Sequence, residues 1–298
     1  MNGSEHVKYL AINSNDLLWG LAVNSTGWQD ISPGEDYPPH NHPNRYLFSY
    51  EKGRKLDEYQ LIYITRGGGE FSSEALGRDR KVRISAGDML LLFPGEWHTY
   101  KPFRDTGWKE YWIGFQGDFA ESLYANGFLK KDKPVFHVGI HNEMAELYEQ
   151  AVSISIRQLS GFQQALHGIA SNLISLAYYY DRNFQFKGND LDNAMNKAKI
   201  LIDQRYASVS PEEVATGISM GYSNFRKVFK SYTGFSPGQY IQEVRLSKSK
   251  EMLTNTYLTI KEIAFNLGYE NDYFFTVFRR RFGMTPLQYR DMTQGRNL

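Results

Sequence analysis

The spacing of hydrophobic residues changes once along the chain, near residue 141. Residues 57–117 hold short runs of β-branched and aromatic residues, such as 59–64 and 89–93, and glycine or proline separates these runs. Short strands punctuated in this way are typical of an antiparallel barrel or sandwich. The first part of the chain is therefore predicted to be β-rich.

After residue 141 apolar residues recur every three or four positions, which is the spacing of one helical face. Two amphipathic helices are predicted between residues 142 and 184, with a break near Ser160 and Gly161, and further helices follow over 191–292. The polar, glycine-bearing segment 186–190 is the predicted linker. We therefore expect a β-rich domain at 1–141, a helical hairpin at 142–187 and a helical domain at 188–298.

The helical domain contains an internal repeat. Residues 209–241 align without a gap over residues 258–290, and nine of the 33 pairs are identical. The identical pairs are Glu213/Glu262, Ala215/Ala264, Phe225/Phe274, Val228/Val277, Phe229/Phe278, Gly234/Gly283, Pro237/Pro286, Gln239/Gln288 and Tyr240/Tyr289. A match of this density indicates two copies of one supersecondary unit.

Each copy has the layout of a helix-turn-helix. Ser210 and Thr259 stand where a short helix is capped, and a glutamate three residues later completes a capping box. A second helix is predicted over 222–233 and over 271–282. Its apolar residues at i, i+3 and i+4 share one face and leave basic residues on the other, as a helix in a major groove requires.

A helix predicted over residues 237–253 joins the two copies. Its roughly 17 residues span about 25 Å at 1.5 Å per residue, which would hold the two outer helices near one turn of DNA, about 34 Å, apart. In the alternative interpretation, the basic residues are only the solvated face of an ordinary helical domain. The duplicated turn chemistry, with Arg226, Lys227 and the three arginines at 279–281, favours DNA binding.

Charge and composition narrow the functional classes. Residues 188–298 carry 15 Lys and Arg against 11 Asp and Glu, whereas residues 1–187 carry 19 against 22, so a polyanion is expected to bind one end only. The absence of cysteine excludes disulfides, thiolate catalysis and cysteine-ligated zinc. No apolar run suits a signal peptide or a membrane span, so a cytoplasmic protein is expected.

The repeat resembles the DNA-binding domain of the AraC/XylS family of bacterial transcription regulators. The resemblance is strongest over residues 260–269 and continues through Tyr273-Phe274, Val277-Phe278 and 282–286; the first copy resembles the family over 225–230 and 233–237. One departure lies at 217–219, where glycine falls inside the short helix and serine at the turn.

The resemblance implies roles for exposed positions on the second helix of each copy. Positions that face base edges in the family are Ser223, Arg226, Lys227, Asn271, Asp272 and Thr276. Lys230, Arg279 and Arg280 are assigned to phosphates, contacts that position a protein without reading sequence. Two interpretations of Asp272 remain open: it accepts a hydrogen bond from cytosine N4, or it repels phosphate.

Residues 85–100 and 108–115 resemble the sensor domain of the same family, which is a cupin-like β-barrel. The positions that match the sugar pocket of the arabinose-responsive member are Arg54, His98, Tyr100, Glu110 and Trp112. An indole stacks on the apolar face of a pyranose, while the polar groups hydrogen-bond its hydroxyls. In the alternative interpretation, Trp112 and Tyr100 are core residues, His98 is a hydrogen-bonded histidine and Arg54 an exposed charge.

Because cupins include metalloenzymes, the resemblance also raises the alternatives of a metal site and of enzyme chemistry. His40 and His42 have the spacing of a metal-binding pair, but no glutamate follows His42 where a cupin metal site would use one. The chain lacks a P-loop, a dinucleotide fingerprint and a Ser/His/Asp signature. We expect no metal, no cofactor and no catalytic residue.

The expected fold is α+β and multidomain, with a cupin-like antiparallel β-barrel, a helical hairpin, and an all-α domain of two helix-turn-helix units joined by a long helix. The expected function is ligand-responsive transcription regulation, as an activator of carbohydrate-use genes. The expected partners are double-stranded operator DNA, a mono- or oligosaccharide effector and a second copy of the chain, with RNA polymerase a further candidate. Two alternatives remain open: a cupin-type metalloenzyme with an accessory helical domain, and a ligand-independent regulator whose barrel only dimerises.

Overall fold

The computed structural model describes residues 5–37, 49–184 and 190–295 of the chain. Contacts divide the chain into two compact units, Met1–Gln185 and Phe186–Leu298, which we call the N-terminal and the C-terminal unit. Within the described ranges no helix has the length and apolarity that a bilayer span requires. Of the predicted linker 186–190, only Asp190 lies among the described residues, and it begins a helix.

In its described residues, 5–37 and 49–184, the N-terminal unit combines eight strands with four helices. The strands are β1 (Glu5–Tyr9), β2 (Ala22–Ile31), β3 (Tyr59–Ser73), β4 (Val82–Ser85), β5 (Asp88–Leu92), β6 (His98–Pro102), β7 (Trp108–Gln116) and β8 (Val135–His137). The helices are α1 (Ser14–Leu18), α2 (Asp118–Ala125), α3 (Asn142–Arg157) and α4 (Phe162–Phe184). The predicted break between the last two helices is confirmed, because Gln158 ends α3 in the left-handed conformation at φ +44°.

All strand pairs are antiparallel, and the long strand β3 connects two sheets. Its first half pairs with β5 and β7 in the order β1-β2-β7-β3-β5-β8. Its second half, from Gly68 to Ser73, pairs instead with β4 and β6. The strands therefore wrap around an interior, and the predicted cupin-like antiparallel fold is confirmed.

Alternation along β7 separates two hydrophobic cores. Tyr111, Ile113 and Phe115 belong to a core that also contains buried residues of α3 and α4. Trp108 and Trp112 point to the opposite face, where they join a second core with residues of β3 and Tyr100 of β6. Because side chains alternate between the two faces of a strand, Glu110 shares the interior face with these two indoles.

Helices α3 and α4 pack directly on the outer face of the sheet. The side-chain amide of Gln163 on α4 both donates to the Val23 carbonyl, at 3.0 Å, and accepts from the Val23 N–H, at 2.9 Å. The hydroxyls of Thr26 and Ser155 are hydrogen-bonded at 2.7 Å. The helical pair thus shares its core with the sheet and lies within the N-terminal unit.

Over residues 190–295 the C-terminal unit contains helices and turns and no strand. Its helices are α5 (Asp190–Arg205), α6 (Pro211–Gly217), α7 (Tyr222–Thr233), α8 (Pro237–Asn255), α9 (Ile260–Asn266), α10 (Asn271–Phe282) and α11 (Pro286–Thr293). One core lies among α5, α6, α7 and the first half of α8, and another among the second half of α8, α9 and α10. Each copy of the repeat therefore builds its own core, and α8 contributes to both.

Candidate DNA interface and ligand site

The two helix-turn-helix copies begin as the sequence predicts. Ser210 and Thr259 cap α6 and α9, and each forms a complete capping box with the glutamate three residues later. The predicted bounds of α7 and α10 are confirmed to the residue. Both helices end at a left-handed glycine, Gly234 or Gly283, as expected for a C-terminal cap.

Helix α7 presents an uninterrupted basic face to solvent. Phe225 and Phe229 are fully buried on its inner side. The four residues predicted to contact DNA are all exposed: Ser223, Arg226, Lys227 and Lys230. Among the described residues, the basic side chains Arg226, Lys227 and Lys230 form no ion pair, and α7 contains no acidic residue. The positive charge of this face is therefore available to a polyanion.

Helix α10 presents a more mixed face. Asp272, Thr276, Arg279 and Arg280 are exposed on the side opposite the buried Phe274, Val277 and Phe278. The hydroxyl of Thr276 donates to the Asp272 carbonyl at 3.1 Å, so this donor is engaged within the helix. Asn271 is half-buried, and its Oδ1 lacks a hydrogen-bond partner in the described part of the chain.

Arg281 differs from its two neighbours. Its guanidinium donates to both carboxylate oxygens of Glu243 on α8, with Nε at 3.0 Å from Oε1 and Nη2 at 3.2 Å from Oε2. A bidentate pair of this kind holds the arginine in place. All three consecutive arginines are exposed, and in the described part of the chain Arg279 and Arg280 are the two that form no ion pair.

In the interior of the N-terminal unit, Arg54, His98 and Tyr100 form one hydrogen-bonded group. The backbones of Arg54 and His98 bond to each other at 2.9 and 3.0 Å. The Arg54 guanidinium donates to the Tyr100 hydroxyl at 2.9 Å and to His98 Nε2 at 3.4 Å. His98 Nδ1 faces the Glu96 carbonyl at 3.2 Å, so the neutral tautomer with the proton on Nδ1 satisfies both contacts. Burial, assisted by Arg54, lowers the pKa of His98 to about 3.

Glu110 is the most buried acid of this interior, at 3% exposure. Burial raises the pKa of Glu110 to about 8, with Arg54 opposing the shift. Glu110 Oε2 and the indole N–H groups of Trp108 and Trp112 are buried and lack a hydrogen-bond partner within residues 5–37, 49–184 and 190–295. Because buried polar groups are normally hydrogen-bonded, one acceptor and two donors in an aromatic interior are suited to a polar ligand.

Gly27 on β2 leaves the space that Trp112 occupies. Gly27 pairs with Trp112 in register, and a Cβ on Gly27 would overlap the six-membered ring of this indole. The structure thus brings all five residues of the predicted ligand set to one interior: Arg54, His98, Tyr100, Glu110 and Trp112.

Sequence reasoning missed further polar residues of this interior. Glu58 is buried and accepts a hydrogen bond from the Ser25 hydroxyl at 3.0 Å. Burial raises the pKa of Glu58 to about 7, against the lowering effects of Ser25 and Arg54. Tyr37 is half-buried beside Glu110, Tyr100 and Arg54, and desolvation of its hydroxyl raises the pKa of Tyr37 well above the usual value. Continuing the inward alternation of β3 one step before Tyr59 would have identified Glu58.

The histidine pair considered for a metal lies outside the described residues, since neither His40 nor His42 belongs to them. Among the described residues, no group of three or more His, Asp or Glu side chains is arranged to hold a metal ion.

Comparisons with known proteins address both units. The AraC-like ligand binding domain family matches residues 40–174, and the Helix-turn-helix domain family matches residues 214–292. The Msm operon regulatory protein of Streptococcus mutans is 26% identical over 80% of this chain and 86% of its own length. The raffinose operon transcriptional regulatory protein RafR of Pediococcus pentosaceus is 24% identical over 82% and 88%. The lactose operon transcription activator of Staphylococcus xylosus is 23% identical over 77% and 82%.

The two family models cover the five interior residues of the predicted ligand set and helices α7 and α10, in the order that the structure shows. The similar regulators match most of their own length, so the likeness extends through both units. The chain is a DNA-binding transcription regulator and belongs to the AraC/XylS family.

Proposed function

We propose that α7 and α10 enter successive major grooves of operator DNA and that a neutral sugar in the N-terminal interior regulates this binding. The DNA-binding part of the proposal rests on the solvent-exposed basic face of α7, whose cations form no ion pair among the described residues. Arg279 and Arg280 give α10 a similar pair of exposed cations. Helix α8 has 19 residues, or about 28 Å at 1.5 Å per residue, a length compatible with one turn of DNA, about 34 Å.

Base contacts are proposed for Ser223, Arg226, Lys227, Asn271, Asp272 and Thr276, and phosphate contacts for Lys230, Arg279 and Arg280. Arg226 has the clearest support because an exposed guanidinium can donate two hydrogen bonds to guanine O6 and N7. Asn271 has the weakest support as a base contact, since it is half-buried. Asp272 suits acceptance from cytosine N4.

The proposal for the effector depends on the interior of the N-terminal unit. Trp112 lies in the same interior core as Tyr100, which Arg54 and His98 contact, and Glu110 shares its face of β7, so an indole and several polar groups suit a pyranose. The names of two similar regulators, of a raffinose and of a lactose operon, support a sugar and an activating role. We further propose that the protein is cytoplasmic, acts as a homodimer and contacts RNA polymerase at its promoters.

The DNA proposal is tested by footprinting the chain on genomic DNA and then measuring binding of Arg226→Ala to the footprinted duplex. We expect a loss of about 1–3 kcal/mol that is largest on the duplex with the native guanine. Arg205→Ala, at an exposed arginine ending α5, is the matched control and should bind like the wild type. Equal binding by Arg226→Ala and the wild type would contradict the proposal.

The effector proposal is tested by thermal unfolding of the full chain with raffinose, lactose and their component monosaccharides. A ligand at 100 times its Kd adds about 2.7 kcal/mol, which is visible in the unfolding curve. All five tryptophans lie between residues 19 and 112, so their fluorescence follows the N-terminal unit alone. If no sugar shifts this transition, the proposal that the interior binds a sugar is wrong.

A further inference from the structure

The loop after α5 joins the two helix-turn-helix copies. Tyr206 at its start packs against the core of the second copy, whereas Val209 at its end is buried in the core of the first. Four consecutive residues thus reach both cores, although the two copies are 49 residues apart in the alignment. The loop therefore links the placement of one copy to that of the other.

Arg245, on the middle of α8, holds this loop. Its Nε donates to the Tyr206 carbonyl at 2.6 Å, and its Nη2 donates to the Ala207 carbonyl at 3.1 Å. Two charge-assisted hydrogen bonds from one planar guanidinium define an orientation as well as a distance. A lysine at this position would supply a charge but not the two-pronged geometry.

The same guanidinium reaches the turn of the second copy. It lies 5.2 Å from the ring centroid of Tyr269, a distance typical of a cation–π contact. Tyr269 in turn stacks on Phe274 of α10, with ring centroids 5.8 Å apart. Beside it, Gly268 lies so close to the loop that a Cβ would overlap the Ala207 carbonyl oxygen.

We propose that Arg245 is a positioning residue that fixes the orientation of α10 relative to α7, and so allows both helices to enter DNA together. The inference rests on the proposed two-groove binding. Two linked sites gain affinity only when the link lets both engage at once, and a rigid link of the right geometry raises the effective concentration of the second site. Loss of Arg245 would leave each helix intact and loosen this link.

The test compares three duplexes cut from the footprinted operator: the full site and each half-site alone. Arg226→Ala first identifies the half-site that α7 contacts. For Arg245→Met we expect binding to the α7 half-site within about twofold of the wild type, and binding to the full site weakened about tenfold or more. Footprints of this variant should lose protection over the α10 half-site first.

Two further variants separate positioning from folding. Arg245→Lys should give an intermediate loss on the full site, because one donor and the charge remain. Arg205→Met, at the exposed arginine that ends α5 just before the loop, should bind the full site and the half-sites as tightly as the wild type. Parallel loss of full-site and half-site binding would overturn the inference, because Arg245 would then serve the fold of the whole unit.

The outcomes also separate this inference from the proposed function. A wild-type chain that protects only one half-site would remove the two-groove proposal and the inference with it. A wild-type chain that protects both, together with an Arg245→Met variant that binds the full site as tightly, would overturn the inference alone.

Discussion

Ser219 and Gly268 occupy the same position in the two helix-turn-helix copies, and both adopt left-handed backbone, with φ of +56° and +72°. Serine in this conformation is strained because its Cβ crowds the carbonyl, whereas glycine has no Cβ. The turn chemistry is therefore conserved between the copies in conformation but not in residue type. Substitutions at the two turns therefore test how much the residue type contributes to stability at the same backbone conformation.

Ser219→Gly should stabilise the C-terminal unit by about 0.5–1 kcal/mol, since relief of the left-handed strain exceeds the entropy that glycine adds to the unfolded chain. Thermal unfolding followed by helical circular dichroism would show the gain. Tryptophan fluorescence serves as the internal control because every tryptophan lies in the N-terminal unit. An unchanged or lowered Tm of the helical transition would show that the serine is not strained.

Gly268→Ala should destabilise the same unit by about 3 kcal/mol, because the new methyl adds a clash with the Ala207 carbonyl to the left-handed strain. Gly234→Ala isolates the strain alone: its φ is +82°, and nothing lies within 4 Å of the added Cβ. This control should cost about 1 kcal/mol. Equal losses from both variants would mean that the contact with the loop is absent in solution.

The repeat explains which features were predictable from sequence. Caps, turn glycines and the apolar faces of α7 and α10 depend on residues at most four apart, so both helices were predicted to the residue. Strand β2 escapes prediction because its Asn24–Thr26 segment is polar, and the hydroxyls of Ser25 and Thr26 are tolerated in the interior because they find partners at Glu58 and Ser155. Those partners lie 33 and 129 residues away, beyond the reach of periodicity.

The same distinction between local and distant contacts applies to the residues of the two candidate sites. The exposed basic residues of α7 were identifiable from helical spacing, but the bond of Arg281 to Glu243 depends on a separation of 38 residues. The place of Arg54 beside Tyr100 came from family resemblance, because no local pattern joins positions 46 residues apart. Glu58 is not predicted as a site residue because an acid at the start of a strand is typical of the protein surface, and only the structure shows that it is buried.

Lys230→Ala should weaken DNA binding to a similar extent on specific and non-specific duplexes. A phosphate contact carries no sequence information, so its loss makes the negative slope of log K against log salt concentration shallower by about one. Lys197→Ala, at an exposed lysine of α5, is the control and should leave the slope unchanged. A loss confined to the specific duplex would instead place Lys230 against a base.

Gly27→Ala should abolish sugar binding while the fold persists. The added methyl would overlap the Trp112 ring and the His6 carbonyl, so the indole must leave its buried position in the interior core. We expect a shift of the tryptophan emission maximum and loss of the sugar-dependent rise in Tm. Gly168→Ala on α4, where a Cβ has open space, is the control and should retain the response. A Gly27→Ala chain that responds normally would remove Trp112 from the ligand site.

Glu110→Gln should change how stability depends on pH. The pKa of Glu110 is raised in the folded state to about 8, so the folded chain holds a proton that the unfolded chain releases from about pH 4 upward. The contribution of Glu110 to stability is therefore full below pH 4, falls as pH rises and levels off above about pH 8. Glutamine removes this decline.

The measurement is the difference in free energy of unfolding between Glu110→Gln and the wild type, from pH 5 to 8.5, by tryptophan fluorescence. We expect the variant to gain on the order of 3 kcal/mol relative to the wild type across this range. The raised pKa of Glu58 and the lowered pKa of His98, to about 7 and about 3, bend each curve but are common to both proteins and largely cancel in the difference. A difference in free energy of unfolding that does not change with pH would mean that Glu110 ionises with its usual pKa. A variant that is more stable but no longer responds to sugar would show that Glu110 serves ligand binding at a cost in stability.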